Sequence, residues 1–397
     1  MSFDDLAALD AEHVMQTYAR LPVAFVRGEG SRLWDSEGRE YLDFLGGLAV
    51  TSLGHAHPEV ADAVAEQART LLHVSNLYYN DVQPLLAAEL NKLLGGEGRV
   101  FFSNSGAEAN ECAIKLARRY GQKHGIPHTY HIVSALNSFH GRTLTTLAAT
   151  GQPVKQAAFQ PLAPGFWQVP YGEIGALEEQ AERFDGKLAA ILLEVVQGEG
   201  GVWPAPPGYL QAVRELCDRA GALLIVDEVQ SGLGRTGKWF AFEHFGIRPD
   251  IVTMAKALGN GVPIGACWAT AEAAAAFEAG DHATTYGGQP FAARAALTTV
   301  QIMQRENVPE RAARAGARLA EGLANTPGVT GVRGLGLLLA AELAEGLDSK
   351  AVANACLDQG LVVNAVTATA LRFEPSLLVT DDEIDEAVTI LAKVLSP

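Results

Sequence analysis

Four cysteines in 397 residues, Cys112, Cys217, Cys267 and Cys356, stand apart with no CxxC spacing among them. Scattered thiols of this kind are expected to be reduced and buried as small hydrophobes. Long apolar runs are missing too: none approaches the ~18–20 residues that span a bilayer. Positive charge is scarce, with 30 Lys and Arg against 46 Asp and Glu, a formal net charge of −16. That balance argues against nucleic acid or an anionic membrane as partner, since both select basic patches. It also requires that any anionic substrate be held by locally placed arginines against the overall field. The N-terminus, Met1-Ser-Phe-Asp-Asp5, is acidic and suits neither a signal nor a transit peptide, so a cytoplasmic location is expected. Repeats, low-complexity tracts and linker-like stretches are absent. What remains, 48% hydrophobic and 19% charged, is an ordinary globular composition. Its length calls for one large and one smaller domain.

The most informative stretch is 222–261. It opens with Ala222-Leu-Leu-Ile-Val226, apolar at every position, and ends in Asp227-Glu228. Five apolar residues without alternation predict a strand buried on both faces, as in a parallel sheet. Asp227 then stands where open α/β sheets place their ligands. After a second apolar strand, Ile251-Val-Thr-Met254, comes Lys256. An Asp able to hold a positive ring nitrogen, facing a Lys amine able to condense with a carbonyl cofactor, is a pyridoxal-phosphate arrangement. Taken alone, such a pair reads more often as solvated caps or ion-pair partners. Two decoys lie alongside. Gly232-Leu-Gly234-Arg-Thr-Gly237 fits a dinucleotide fingerprint, but four residues separate it from the strand. No acidic residue follows about twenty positions on. Gly232 to Lys238 fits GxxxxGK, but Trp239 stands where the magnesium-binding Ser or Thr belongs. Both are rejected.

Along the chain, a helix is expected over 9–20 and strands over 23–26, 32–35 and 40–44, the last two joined by a Ser36-Glu-Gly38 hairpin turn. His55 and His57 have HxH spacing but no third ligand nearby, so no metal site is expected. Pro58 opens a helix to about residue 72. Strands over 100–102, 130–133, 189–195, 222–226, 251–254 and 265–269 alternate with helices from Gly106 and Pro207, which predicts a largely parallel, doubly wound sheet. From Phe291 come two helices (to 307, then 309–324), strands within 329–343, another helix, strands over 361–364 and 370–373, and a final helix from Asp381. Thr380 and Glu383 form a capping box for that last helix. Ser105 and Glu108 read as another, at a strand-to-helix turn whose free amides also suit a phosphate.

Asp227-Glu-Val-Gln230-Ser-Gly-Leu-Gly-Arg-Thr-Gly237, Pro249-Asp-Ile251 and Lys256-Ala-Leu-Gly259 together resemble the class III (subgroup II) pyridoxal-phosphate aminotransferases, and the likeness extends over nearly the whole chain. The resemblance implies an α/β chain of fold type I. A large cofactor-binding domain would span 56–290, with a discontinuous α+β small domain from 1–55 and 291–397. It implies pyridoxal 5'-phosphate on Lys256, Asp227 on the ring nitrogen and Gln230 on the phenolic oxygen. Ser105, Gly106 and Ala107 would take the phosphate, and Phe139 would stack on the ring, with His140 as scaffold. Arg142 would bind a substrate carboxylate and Arg372 an α-carboxylate, with Glu199 as the acid that pairs with Arg372 and releases it. Thr285 would reach the partner subunit's cofactor phosphate and Thr284 the substrate, which makes a homodimer with shared sites. Gly46-Gly-Leu-Ala-Val50 resembles the acetylornithine branch, which implies N-acetylornithine with the glutamate/2-oxoglutarate couple. Ornithine, succinylornithine, 4-aminobutyrate or a carrier-bound lysine precursor are the alternatives. A P-loop nucleotide module with a magnesium site at Asp227-Glu228 and a catalytically silent homologue are the rivals from other classes. Three positions depart from the family pattern: Val195 for Pro, Asn260 for Gly and Gln289 for Asn.

Overall fold

The computed structural model describes residues 1–396. A seven-stranded sheet runs, edge to edge, Gly98–Ser103, Gly265–Thr270, Ile251–Met254, Leu223–Asp227, Leu188–Glu194, His131–Ala135 and Phe166–Val169. The five strands from Ile251–Met254 to Phe166–Val169 pair in parallel. Gly265–Thr270 runs antiparallel to both of its neighbours, so six strands share one direction and one is reversed. The apolar runs are unbroken because both faces are covered, and every residue of Leu188–Glu194 and Leu223–Asp227 is buried. Alternate side chains serve opposite layers. Ala190 and Leu192 pack with Ala113, Ile114 and Ala117 of helix Gly106–His124, whereas Ile191 and Leu193 pack with Val213 and Cys217 of helix Tyr209–Ala220. This architecture opens a crevice at the C-terminal ends of the co-directional strands.

Two four-stranded sheets accompany this core, and Val196–Gln197 pairs with Trp203–Pro204 in a two-stranded one. Val329–Leu335, Leu338–Leu343, Ala370–Phe373 and Asn364–Thr367 form an antiparallel sheet, in spatial order with the hairpin Leu335–Leu338 at one edge. Helices Val308–Ala324 and Asp381–Leu395 pack together, and the former also packs on the hairpin. The other sheet joins the chain's two ends: Phe25–Glu29, Arg32–Asp35 and Glu40–Asp43 are antiparallel, and Leu361–Val362 adds in parallel to the last.

Several expectations shift. The first helix is Phe3–His13 and not 9–20, because Ser2 and Asp5 form a capping box that starts it early. The 361–364 strand is two strands in different sheets, broken at Val363. Phe166–Val169, too short to stand out from periodicity, adds the far edge of the main sheet. Ser105 caps the Glu108 amide, but the Glu108 carboxylate turns to Asn104, so that turn is half a capping box. The box at Thr380 and Glu383 is complete. All four cysteines are buried and free.

Candidate active site

Five loops leave the C-terminal ends of the sheet strands and enclose a cavity of about 380 Å³. Lys256 follows Ile251–Met254 and lines it. Its backbone sits at φ +41°, a left-handed conformation that costs a non-glycine residue about 1–3 kcal/mol and marks a constrained position. Burial lowers the pKa of its amine, opposed first by Glu374. Asp227, at the end of its strand, is 5% exposed. Its Oδ2 accepts from Asn110 Nδ2 and from His140 Nδ1, each at 2.8 Å, and Oδ1 accepts from the Val229 amide at 3.0 Å. Asn110 is held in turn by Thr253, whose Oγ1 donates to Asn110 Oδ1 at 2.7 Å. A carboxylate gripped from three sides keeps one orientation toward the cavity.

Gln230 also lines the cavity, and its Nε2 is buried without a hydrogen-bond partner among the described residues. A buried amide donor left free in this way carries a desolvation cost that a bound acceptor would remove. Gly198 makes room for it, since a Cβ there would lie 1.6 Å from Gln230 Oε1. At the start of helix Gly106–His124, Ser105, Gly106 and Ala107 present a helix N-terminus to the same space. Phe139 lines the wall beside them. Its amide donates to Glu194 Oε2 at 3.0 Å, and burial, opposed first by His140, lifts the Glu194 carboxyl to about 7.

The cationic end lies farther out. Arg372 is 1% exposed, and its Nη1 donates to Glu199 Oε1 at 2.9 Å while Nε donates to Asn364 at 3.2 Å. Burial opposes the Arg372 charge, but Glu374 and then Glu199 hold its pKa above the usual arginine range. Glu199 behaves conversely: burial would raise its carboxyl, and Arg372 outweighs that and lowers it. Arg142 is exposed at the cavity, its guanidinium 5.7 Å from the Phe139 ring centroid. Lys155, with its amine 4.9 Å from the same ring, adds a third cation. Thr284 and Thr285 do not reach this cavity within one chain. They line a separate hollow with Leu77, Gln83 and Phe102, where Thr284 Oγ1 accepts from Asn104 and the Gly287 amide.

Residues 14–395 match the family described as Aminotransferase class-III. The chain belongs to the class-III aminotransferases. It is 50% identical over 391 residues to an acetylornithine aminotransferase of Gloeobacter violaceus, covering 97% of this chain and 96% of that one. It is 47% identical to the acetylornithine aminotransferase of Caldanaerobacter subterraneus subsp. tengcongensis, with 98% of each chain covered. A solved ornithine aminotransferase from Toxoplasma gondii, described as having PLP at partial occupancy in its active site, superposes with a TM-score of 0.93. It is 35% identical, over 99% of this chain and 94% of that one.

In this class-III aminotransferase, sequence reasoning missed Asn110, Glu194, Val229, Lys155 and Glu374, and left His140 as scaffold. His140 is scaffold of a particular kind, since its imidazole fixes the Asp227 carboxylate. The Gly46–Ala49 stretch is a left-handed turn, with φ from +55° to +68° at all four residues, and it delivers Val50 to the cavity.

Proposed function

We propose that the chain transfers the δ-amino group of N2-acetyl-L-ornithine to 2-oxoglutarate. The products are N-acetyl-L-glutamate 5-semialdehyde and L-glutamate, a step of arginine biosynthesis. The observation that carries this reading is the unequal treatment of two arginines: Arg372 is buried and neutralised by Glu199, while Arg142 stands open. A donor with one distant carboxylate needs Arg142 alone and leaves Arg372 to its acid. Glutamate and 2-oxoglutarate need both arginines. The names of the acetylornithine relatives, 46–50% identical over nearly whole chains, support the same choice.

The residues fit pyridoxal 5'-phosphate. The free Gln230 Nε2 supplies a donor for the phenolic oxygen, Asp227 an acceptor for the ring nitrogen, and Phe139 a ring face. Ser105 and the Gly106 and Ala107 amides supply phosphate donors, and Lys256 the amine that attaches the group. When bound, the cofactor supplies an electron-poor ring that draws charge from the substrate carbon bearing the reacting nitrogen. Lys256 Nζ, freed once the donor amine has taken its place and with its pKa lowered by burial, would take the proton from that carbon and return it. Asn110 and His140 keep Asp227 aimed while this happens.

A homodimer is part of the proposal. Thr284 and Thr285 lie outside their own chain's cavity, in a hollow that Leu77 also lines. Tyr78 and Tyr79, next in sequence to Leu77, and Tyr286, next to Thr285, are 71%, 103% and 68% exposed. Thr285 is read as a donor to the partner subunit's cofactor phosphate. Residues 56–290 are read as the cofactor-binding body. The discontinuity of the remainder, 1–55 with 291–397, is supported by the sheet that Leu361–Val362 shares with Glu40–Asp43. A cytoplasmic location is supported by four free, buried thiols. Borohydride reduction of the holoenzyme followed by peptide mapping is expected to find the adduct on Lys256. An adduct on Lys238, or none, would refute the cofactor assignment. Single-turnover loss of cofactor absorbance is expected to be fastest with N-acetylornithine. Faster loss with ornithine or 4-aminobutyrate would overturn the substrate and leave the cofactor assignment standing.

A further inference from the structure

Glu374 is 0% exposed, yet neither carboxylate oxygen accepts a well-formed hydrogen bond among the described residues. Its contact is ionic: Arg372 Nε stands 3.2 Å from Oε2 at an angle that does not make a hydrogen bond. Arg235, 1% exposed, grips the same segment by donating from Nη1 to the carbonyls of Pro375 at 2.6 Å and Leu337 at 3.1 Å. Its Nε and Nη2 are left free. Glu374 is the foremost charge acting on Arg235, on Arg372 and on Lys256. A buried carboxylate without hydrogen bonds is costly, and replacing buried ions by apolar groups is often neutral or stabilising. Stability alone therefore gives little reason for an acid at this position.

The two acids on Arg372 differ in exposure and in how their backbone is held. Glu199 has a side chain 30% exposed and sits between Gly198 and Gly200. Glu374 is fixed: its amide donates to the Phe44 carbonyl at 2.7 Å, and Ser376 two residues on donates to the Ser52 carbonyl. Its own carbonyl closes on Gly46, where a Cβ would come within 2.8 Å. When a substrate carboxylate displaces Glu199 from Arg372, Glu374 stays. The incoming carboxylate then meets an arginine already half neutralised.

We propose that Glu374 is a specificity-determining residue, a permanent counter-charge that weakens the grip of Arg372 on a carboxylate beside the reacting carbon and so favours donors that lack one. The proposal rests on the reading of Arg372 as the α-carboxylate site. Its effect falls on glutamate and 2-oxoglutarate, which bind against this charge and leave more readily. N-acetylornithine, whose only carboxylate goes to Arg142, does not meet it.

The test is calorimetric binding of two unreactive probes to the holoenzyme: glutarate, with two carboxylates, and N-acetylnorvaline, with one and no amine. Glu374→Gln is expected to tighten glutarate about ten-fold, the order for removing one like charge a few ångströms away at a dielectric constant of about 20 after partial screening. Glu374→Asp keeps the charge and is expected to hold glutarate within about two-fold of the unaltered chain, as is N-acetylnorvaline in both variants. Should the amide variant not fold, Glu374→Met fills the space without a polar atom and is expected to give the same tightening. Unchanged or weaker glutarate binding in a folded, charge-free variant would overturn the proposal. Arg372→Ala separates the premise: if it leaves glutarate affinity intact, Arg372 is not the carboxylate site and both readings fall together.

Discussion

Replacing Glu199 by glutamine removes one charge from the site and almost none of its volume. In the unaltered chain Glu199 Oε1 is 2.9 Å from Arg372 Nη1, and Arg372 is 1% exposed. Breaking a buried ion pair outright costs about 3–5 kcal/mol, because the remaining charge is stranded. Arg372 would not be fully stranded, since Glu374 lies at 3.2 Å and Asn364 still accepts from it. The glutamine oxygen also keeps one acceptor in place. Only the part of this contact that tightens as a donor closes the site counts in the rate, and about 1.5–2.5 kcal/mol is expected there whenever Glu199 is the intended partner, or roughly 10- to 70-fold. N-acetylornithine brings no carboxylate to Arg372 and should suffer the whole loss. Glutamate, which under the proposed binding mode brings its own carboxylate and displaces Glu199, should change by less than about three-fold. Stopped-flow absorbance with each donor in single turnover measures the two half-reactions separately. Equal losses with both donors, or a larger loss with glutamate, would refute the reasoning.

Under the proposed binding mode, in which each donor sets a distal carboxylate on Arg142, Arg142→Ala should impair both half-reactions. Arg142 is exposed, so about 1.5–3 kcal/mol in kcat/KM is expected for each, measured by steady-state assay; a loss confined to one donor would contradict it. The contribution of Glu228 to stability should fall with rising pH. Burial of Glu228 outweighs the bonds it accepts from Ser231 and the Phe242 amide and lifts its carboxyl from 4.5 to about 7. A carboxyl raised on folding contributes fully below its unfolded value and loses that contribution as pH climbs through its folded value. The Tm of Glu228→Gln should therefore gain on the unaltered chain between about pH 5 and pH 8; parallel Tm curves across that window would count against it.

What could be read from the sequence was whatever is carried by a local string. Asp227, Gln230 and Lys256 follow apolar strands directly, and Phe139, Arg142 and Glu199 sit in short loops of distinctive composition. The largely parallel, doubly wound character of the sheet follows from the alternation of strands with helices, whereas the strand order and the reversal of Gly265–Thr270 do not. What the sequence hid are partnerships across the sheet. His140 and Asn110 meet Asp227 over 87 and 117 positions, and nothing in their own neighbourhoods marks them. Glu374 was in plain view beside Arg372, but its significance lies in being buried without hydrogen bonds, which no spacing conveys. The first helix shows the opposite: its start at Phe3 is set by a local capping box at Ser2 and Asp5, which the reading of a helix over 9–20 does not take into account.

The three departures from the family pattern show how a site keeps its geometry while its framework changes. At Val195 the carbonyl does the bonding, accepting from the Ala205 amide at 2.9 Å and from the Tyr171 hydroxyl at 2.9 Å. Proline has the same carbonyl, so exchanging it for valine leaves both bonds and keeps an apolar side chain in the core. Asn260 sits at φ +46°, a conformation that glycine adopts freely and asparagine tolerates better than most residues. Its side chain accepts from the Leu53 amide at 2.8 Å and donates to the Gly54 carbonyl at 3.2 Å, tying the turn after Lys256 to the N-terminal segment. Gln289 precedes helix Pro290–Arg305, and its Oε1 accepts from the Val74 amide at 2.9 Å, while Nε2 is buried and free. Val195 and Asn260 therefore leave or add bonds, and Gln289 makes one bond and leaves one donor without a partner among the described residues. All three act on the positioning of loops next to Glu194, Lys256 and Thr285 and leave those side chains themselves untouched.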